Sequence, residues 1–177
     1  MIVKQVKNEH PYVREIMGEM TTSHKRVTDS LTEQQYLLMP KDMNGHGRLF
    51  GGELMKWIDG LAGIVALRHS NRIITTACID NLQFVKPAIV GQMVVLVGRV
   101  TYVGTTSMEI RVDTFTEELD GTRTKINRAY LVEVALDDDG NPCEVPGLIL
   151  ETEEDRQEWE AGERRRALRS SRRKEHY

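Results

Sequence analysis

LFGGELMKWIDGLAGIVALRHS, residues 49–70, is the stretch whose reading decides the fold. Gly51-Gly52 followed by Glu53 reads as a helix start, and the helix is expected to run to about His69. At 100° per residue Leu54, Trp57, Ile58, Leu61, Ile64 and Val65 fill a broad arc, which Met55, Ala62 and Ala66 widen. Glu53, Lys56, Gly60 and Gly63 mark the narrow remaining side, with Asp59 at the margin. A helix apolar on so much of its circumference is buried rather than laid on a surface.

The flanking segments say what buries it. Upstream, SLTEQQYLLM (30–39) has the length and ending of a strand, closed by Pro40 and followed by the turn-like KDMNGHG. Downstream, ITTACIDNLQFV, MVVLVGRVTYV, SMEIRVDTFTE and TKINRAYLVEVAL are strand-like runs separated by turn residues at Lys86-Pro87…Gly91, Val103-Gly104 and Asp120-Gly121. Met108, Ile110 and Val112 alternate with Glu109, Arg111 and Asp113, predicting one wet face for that strand. The run near Ala129 to Ala135 is apolar on both faces, predicting a central strand. The order is strand, long helix, then four strands with hairpin-like links: an α+β fold in which one antiparallel sheet wraps a helix. Residues 1–29 are polar and offer little to a core, 30–150 form the domain, and 151–177 form a charged C-terminal helix. Residues 151–163 hold seven acids and one base, and residues 164–177 seven bases and one acid, matching the helix macrodipole. The expectation for this tail is a solvated terminal helix.

Composition narrows the class of function. The chain has 177 residues, enough for one domain with a real core. Lys plus Arg is 24 and Asp plus Glu 27, a net charge of -3 that gives no global reason to expect nucleic acid or an anionic membrane as partner. Cys78 and Cys143 are too few for a disulfide scaffold or a cysteine-built zinc site. The start, MIVKQVKNEHPYVREIMGEM, lacks a secretion signal's apolar stretch, and no segment reaches the roughly 20 apolar residues that span a bilayer. A soluble, cytoplasmic protein is the expectation.

Two features carry chemistry. A carboxylate in an apolar helix costs several kcal/mol if ionised and unpaired, so Asp59 is either a structural partner, for example of Lys56 or Arg68, or a general base or nucleophile. Ahead of it, Asn44-Gly45-His46-Gly47-Arg48-Leu49-Phe50-Gly51-Gly52 runs straight into the helix N-terminus. Free amides there, with the positive end of the helix dipole, suit a developing negative oxygen. Asp59 follows Gly51 by eight residues, about 12 Å along a helix. A reacting carbonyl lies about 3 Å from both its oxyanion donor and its attacking group. One chain does not place both on one carbonyl, so the expected site is shared in a homodimer. Other schemes find less: Ser30, Ser70 and Ser107 lie in no GxSxG elbow, and His10, His24, His46, His69 and His176 show no metal spacing. No metal ligand is assigned. Among the histidines only His46, in the glycine loop, is a site candidate.

Asn44-x-x-Gly47-x-x-Phe50-Gly51-Gly52-x-x-Met55-x-x-x-Asp59 resembles the signature of the hotdog-fold acyl-CoA thioesterases, in the branch of cytosolic acyl-CoA hydrolases. Further matches follow in order: Phe84-x-x-Pro87 with Gly91, Val103-Gly104-x-Thr106-Ser107-Met108-Glu109, Val134 to Asp137, Pro142 and Val145-Pro146. The resemblance spans about residues 30–150. It implies a sheet (the bun) around a helix (the sausage), sheets paired edge to edge in a dimer, and often a trimer of dimers. It also implies that Asp59 acts as base or nucleophile on the thioester, facing Asn44 of the opposite subunit. Gly51 and Gly52 then form the oxyanion hole, His46 is auxiliary, and Gly104, Thr105, Thr106 and Ser107 meet coenzyme A, which is part of the substrate and product rather than a cofactor. Relatives commonly carry Gly-Arg-Thr-Ser where this chain reads Gly104-Thr105-Thr106-Ser107. The tail arginines Arg164, Arg165, Arg166 and Arg169 are the candidates to replace that missing Arg.

Three functions fit this frame. Hydrolysis of an acyl-CoA thioester ranks first. A non-catalytic acyl-CoA sensor has no need of a carboxylate beside the acyl carbonyl, and no helix-turn-helix precedes the domain. A hydratase would pair Asp with His on the acyl chain, and no His lies on the helix near Asp59.

Overall fold

In chain order the computed structural model, which describes residues 23–175, forms β1 (His24–Arg26), α1 (Val27–Ser30), β2 (Thr32–Leu37), a 3-10 turn (Pro40–Asp42) and α2 (Gly51–Ser70). Then come β3 (Ile73–Phe84), β4 (Met93–Val103), β5 (Ser107–Glu117), β6 (Arg123–Leu136), β7 (Gly147–Ile149) and α3 (Glu153–Lys174). His10, His176 and most of the polar N-terminal segment lie outside the described residues.

Strands β2-β4-β5-β6-β3 form one antiparallel sheet curled around α2. Leu54, Trp57, Ile58, Leu61, Ala62, Val65 and Ala66 of the helix pack on Val94, Leu96 and Val100 of β4, Met108, Ile110 and Val112 of β5, and Ala129, Leu131 and Ala135 of β6. Each fully buried Leu, Ile or Val contributes roughly 1.5–3 kcal/mol, so this interface dominates the stability. Gly98 lets the helix approach β4: a Cβ there would lie 2.9 Å from Val65 Cγ2 and 3.2 Å from Leu61 Cγ. The helix stops at Asn71, whose left-handed φ of 52° lets its amide close on Leu67 O.

The sheet's outer face departs from expectation. Glu109, Arg111 and Asp113 on β5 are buried, not wet. Helix α3 lies over them, so the tail is a second layer rather than a solvated appendage. Thr152 caps α3 with a reciprocal Asp155 bond, and its acidic first turn and basic last turn suit the dipole. Arg111 Nη1 donates to Glu158 at 2.7 Å, and Arg99 Nη2 to Asp155 at 2.9 Å. Trp159 packs on Tyr102 at 4.6 Å between ring centres. Gly162 permits the contact: a Cβ there would lie 2.6 Å from Tyr102 Cβ.

Two further readings need correction. The middle strand is β5, with β6 one place from the β3 edge. The polar N-terminal stretch also contributes where it is described: β1 pairs in parallel with β7, and Val27 is buried. Lys25 Nζ donates to Arg68 O and Asn71 Oδ1, closing the C-terminal end of α2. Among the described residues no helix is long and apolar enough to cross a membrane.

Candidate active site

The loop before α2 is organised by Asn44. Its Oδ1 accepts from the amides of His46 (2.9 Å) and Arg48 (3.2 Å), its own N–H donates to Arg48 O, and Gly47 takes a φ of 68° to close the turn. Asn44 Nδ2 has no partner among the described residues and is available to a ligand. The loop ends at Phe50, which caps α2 without a side-chain hydrogen bond. The Gly51 and Gly52 amides, in the first turn, therefore have neither an intrahelical acceptor nor a side-chain cap. Beside them lies a cleft of about 400 Å3, bounded by Asn44, Gly51, Leu54, Phe84 and Ile126, with the cations Arg48 and Lys86 at its margin. His46 is exposed at the loop tip, its ring without a described hydrogen bond.

Asp59 is not part of that cleft's lining. It sits half-buried two turns along α2, and neither expected cation meets it: Lys56 pairs with Glu53 at 2.9 Å, and Arg68 donates to Thr32. Asp59 Oδ1 instead accepts from Thr76 Oγ1 of β3 at 2.8 Å. The same hydroxyl lies 3.3 Å from Glu133 Oε1, its rung partner on β6. Glu133 is fully buried, and burial with the neighbouring Asp59 charge pushes its carboxyl up to about 7. Thr76 and Glu133 escaped the sequence reading. The one signal for Glu133 is a lone acid inside the apolar run from Tyr130 to Leu136.

The Gly104–Ser107 turn joins β4 to β5 at the same end of the sheet, because Ser107 pairs with Val134, next to Glu133. Gly104 N donates to Ser107 O at 2.7 Å, and the carbonyls of Thr105 and Thr106 are taken by Val145 and Ala135. Of the tail arginines, Arg165 and Arg169 are held by Glu109 at 2.8 and 2.7 Å. Arg166 is different. It donates to Tyr102 OH at 3.1 Å, and its Cζ lies 3.8 Å from where a Gly104 Cβ would be. Arg164 has no ion pair among the described residues. No group of three or more His, Cys, Asp or Glu side chains among the described residues is arranged to hold a metal.

The arrangement offers a carboxylate steered by a hydroxyl, a separate amide-lined cleft, and a turn with an arginine beside it. Known proteins share the sequence and the fold that carry it. The thioesterase superfamily model matches residues 46–121. YkhA of Bacillus subtilis, named as an uncharacterized acyl-CoA thioester hydrolase, is 44% identical over 119 residues, covering 67% of this chain and 69% of its own. The rat cytosolic acyl coenzyme A thioester hydrolase is 35% identical over 133 residues, and the match spans about a third of its length (35%). An acyl-CoA hydrolase of Staphylococcus aureus, solved with butyryl coenzyme A, coenzyme A and coenzyme A disulfide, superposes with a TM-score of 0.82 at 33% identity, covering 86% of this chain and 93% of that one. That enzyme has also been solved with an Asn, an Asp and a Thr each replaced by alanine, positions set 15 and then 17 residues apart. A hexameric acyl-CoA thioesterase superposes at 0.81 with 37% identity, covering 84% of this chain and 96% of its own. With a wrapped helix, a glycine-lined helix start and agreement along most of the Bacillus and Staphylococcus chains, this protein belongs to the thioesterase superfamily, among the acyl-CoA thioester hydrolases.

Proposed function

We propose that the protein hydrolyses acyl-CoA thioesters to the free carboxylic acid and coenzyme A, at sites shared between two copies of the chain. Asp59 of one copy faces Asn44 and the Gly51–Gly52 amides of the other. A water oxygen adds to the thioester carbonyl carbon as its proton passes to Asp59. The two amides receive the tetrahedral oxyanion, and collapse expels the coenzyme A thiolate, which takes up a proton. Asn44 Nδ2 orients the water or the carbonyl. Thr76 holds Asp59 Oδ1, leaving Oδ2 for the water. The observation that carries this reading is the separation within one chain: Asn44 and Gly51 line the cleft and Asp59 does not. Asn44, Asp59 and Thr76 are themselves 15 and 17 residues apart, the intervals of the three positions replaced in the staphylococcal enzyme. Strand β3, which carries Thr76, is one of the sheet's two edges, β2 being the other, and in this reading it pairs with a second copy. Assembly to a trimer of dimers accords with the hexameric relative.

Mixing tests the sharing. Asn44→Ala and Asp59→Asn proteins, each inactive alone in a thiol-release assay across acyl-CoA chain lengths, regain activity when unfolded and refolded together. A mixed dimer has one intact site and one doubly damaged site. Random pairing at equal amounts therefore restores roughly a quarter of wild-type turnover. No recovery from well-folded mixed dimers contradicts the shared site. Tight binding of intact acyl-CoA by the wild type, without thiol release, contradicts hydrolysis.

Arg166 takes over at the Gly104 turn, in this reading, the anion contact that the sequence lacks. Arg166→Ala raises KM for acyl-CoA by roughly three- to tenfold with kcat little changed, as loss of one exposed charge-assisted contact does. The effect vanishes on an acyl-pantetheine substrate, which has no phosphates. An equal rise on both substrates shows that Arg166 serves only the fold.

A further inference from the structure

We propose that Glu133 is a positioning residue for the hydrolysis: its buried, protonated carboxyl donates to Thr76 Oγ1 and so commits the Thr76 hydrogen to Asp59. The inference rests on Asp59 being the base and goes beyond it.

A threonine hydroxyl has one hydrogen and two lone pairs. Thr76 Oγ1 stands between two carboxyl oxygens, Asp59 Oδ1 at 2.8 Å and Glu133 Oε1 at 3.3 Å. If both acids are ionised they compete for a single hydrogen, and one of them faces a lone pair. If Glu133 carries a proton, the chain is complete in one direction: Glu133 O–H to Thr76, Thr76 O–H to Asp59. Burial selects the second arrangement. Glu133 is fully enclosed, and its Oε2 has no hydrogen-bond partner among the described residues. The other buried carboxylates described are met by arginines or backbone N–H groups: Asp80 and Glu109 by Arg169, Asp113 by Arg128, Asp155 by Arg99 and Asp42 by the Met39 amide. An enclosed acid without a cation keeps its proton.

The charges around Glu133 agree. Asp59 faces it from α2 and favours the neutral form. Its rung neighbours, Thr76 on β3 and Met108 on β5, do not titrate. Asp80, Glu109, Arg165 and Arg169 engage one another on the opposite face, under α3. With the carboxyl pushed up to about 7, Glu133 is half deprotonated near neutrality and ionised above it. The relay then breaks, because Thr76 has two acceptors for one hydrogen, and Asp59 loses its fixed orientation.

The test is kcat against pH from 6 to 9 on the best acyl-CoA of the chain-length series, measured by thiol release for the wild type, Glu133→Gln, Glu133→Leu and Asp59→Asn. The wild type shows a descending limb with its midpoint near pH 7. Glu133→Gln, whose amide is a weaker but permanent donor, turns over about threefold more slowly at pH 6 and shows no such limb. Glu133→Leu, with no donor, loses about tenfold in kcat with KM within twofold. A Glu133→Gln profile that keeps the wild-type limb overturns the inference, as does a folded Glu133→Leu with unchanged kcat. Should Glu133→Leu fail to fold, the glutamine profile decides alone. Asp59→Asn separates the two claims: inactivity there with an unaltered Glu133→Gln profile removes Glu133 and keeps the base, whereas substantial activity removes the base itself.

Discussion

Asp59→Asn lowers kcat for acyl-CoA hydrolysis by about two to four orders of magnitude, the usual range for loss of a positioned general base. KM stays within a few-fold and the melting temperature is almost unmoved. The size of the effect follows from what asparagine keeps and what it loses. Its carbonyl oxygen still accepts the Thr76 hydrogen that Asp59 Oδ1 accepts at 2.8 Å, so α2 and β3 hold the side chain as before. No ion pair breaks, because Lys56 is engaged by Glu53 and Arg68 by Thr32. Removing the Asp59 charge strands nothing beside it, because the buried Glu133 is neutral in this reading. What is lost is the ability to take a proton from water, since an amide has no basic oxygen near neutral pH. The interaction is made in the transition state, which is why kcat falls and KM does not. Thiol release on the best substrate of the series measures it, with circular dichroism confirming the fold. A variant within tenfold of wild-type kcat shows that Asp59 is not the base.

The fold was legible where a single element states its own burial. Residues 51–70 are apolar on nearly every side, and such a helix must be enclosed. The outer face of β5 was misread for the opposite reason. Alternation of Met108, Ile110 and Val112 with Glu109, Arg111 and Asp113 describes a strand with one polar face. It is silent on whether that face meets water or the opposite charges of Arg165, Arg169 and Glu158 on a helix more than 40 residues later. Three-residue strands such as β1 and β7 carry no period of their own, so their parallel pairing exists only in three dimensions. The site divides along the same line. Gly51, Gly52 and Asp59 are candidates readable from one glycine loop and one apolar helix, and Asn44 joins them only through the family resemblance. Thr76 and Glu133 come together through the register of β3 on β6, just before the bulge between Thr76 and Cys78, and in a list of residues a strand threonine looks like any other.

Glu109→Ala is expected to be the most destabilising single change on the outer face, at about 3–5 kcal/mol, the cost of removing one partner from a buried ion pair. Glu109 is 1% exposed and accepts from three residues: Arg165 (Nη2 at 2.8 Å, Nε at 3.1 Å), Arg169 (Nη1 at 2.7 Å) and Thr101 (Oγ1 at 2.9 Å). Alanine leaves two guanidinium groups under α3 with weaker partners, Glu158 at 3.5 Å for Arg165 and Asp80 at 3.3 Å for Arg169. For a chain of this length each kcal/mol moves the melting temperature by roughly 2–4 °C, so a fall on the order of 10 °C is expected in calorimetry. The cause is stranded charge, and a second variant tells this apart from lost packing. Replacing Glu109 and Arg165 together by leucine takes away one of the two stranded guanidinium groups and leaves Arg169 paired with Asp80 at 3.3 Å, and it restores most of the loss, as apolar substitutes for buried ion pairs do. A functional consequence follows from the same geometry. Helix α3 carries Arg166 to the Gly104 turn, and Gly162 seats it on Tyr102, so a helix loosened by Glu109→Ala also raises KM for acyl-CoA. A melting temperature within about 2 °C of wild type shows that α3 is held by Trp159 and Tyr102 and not by its charges.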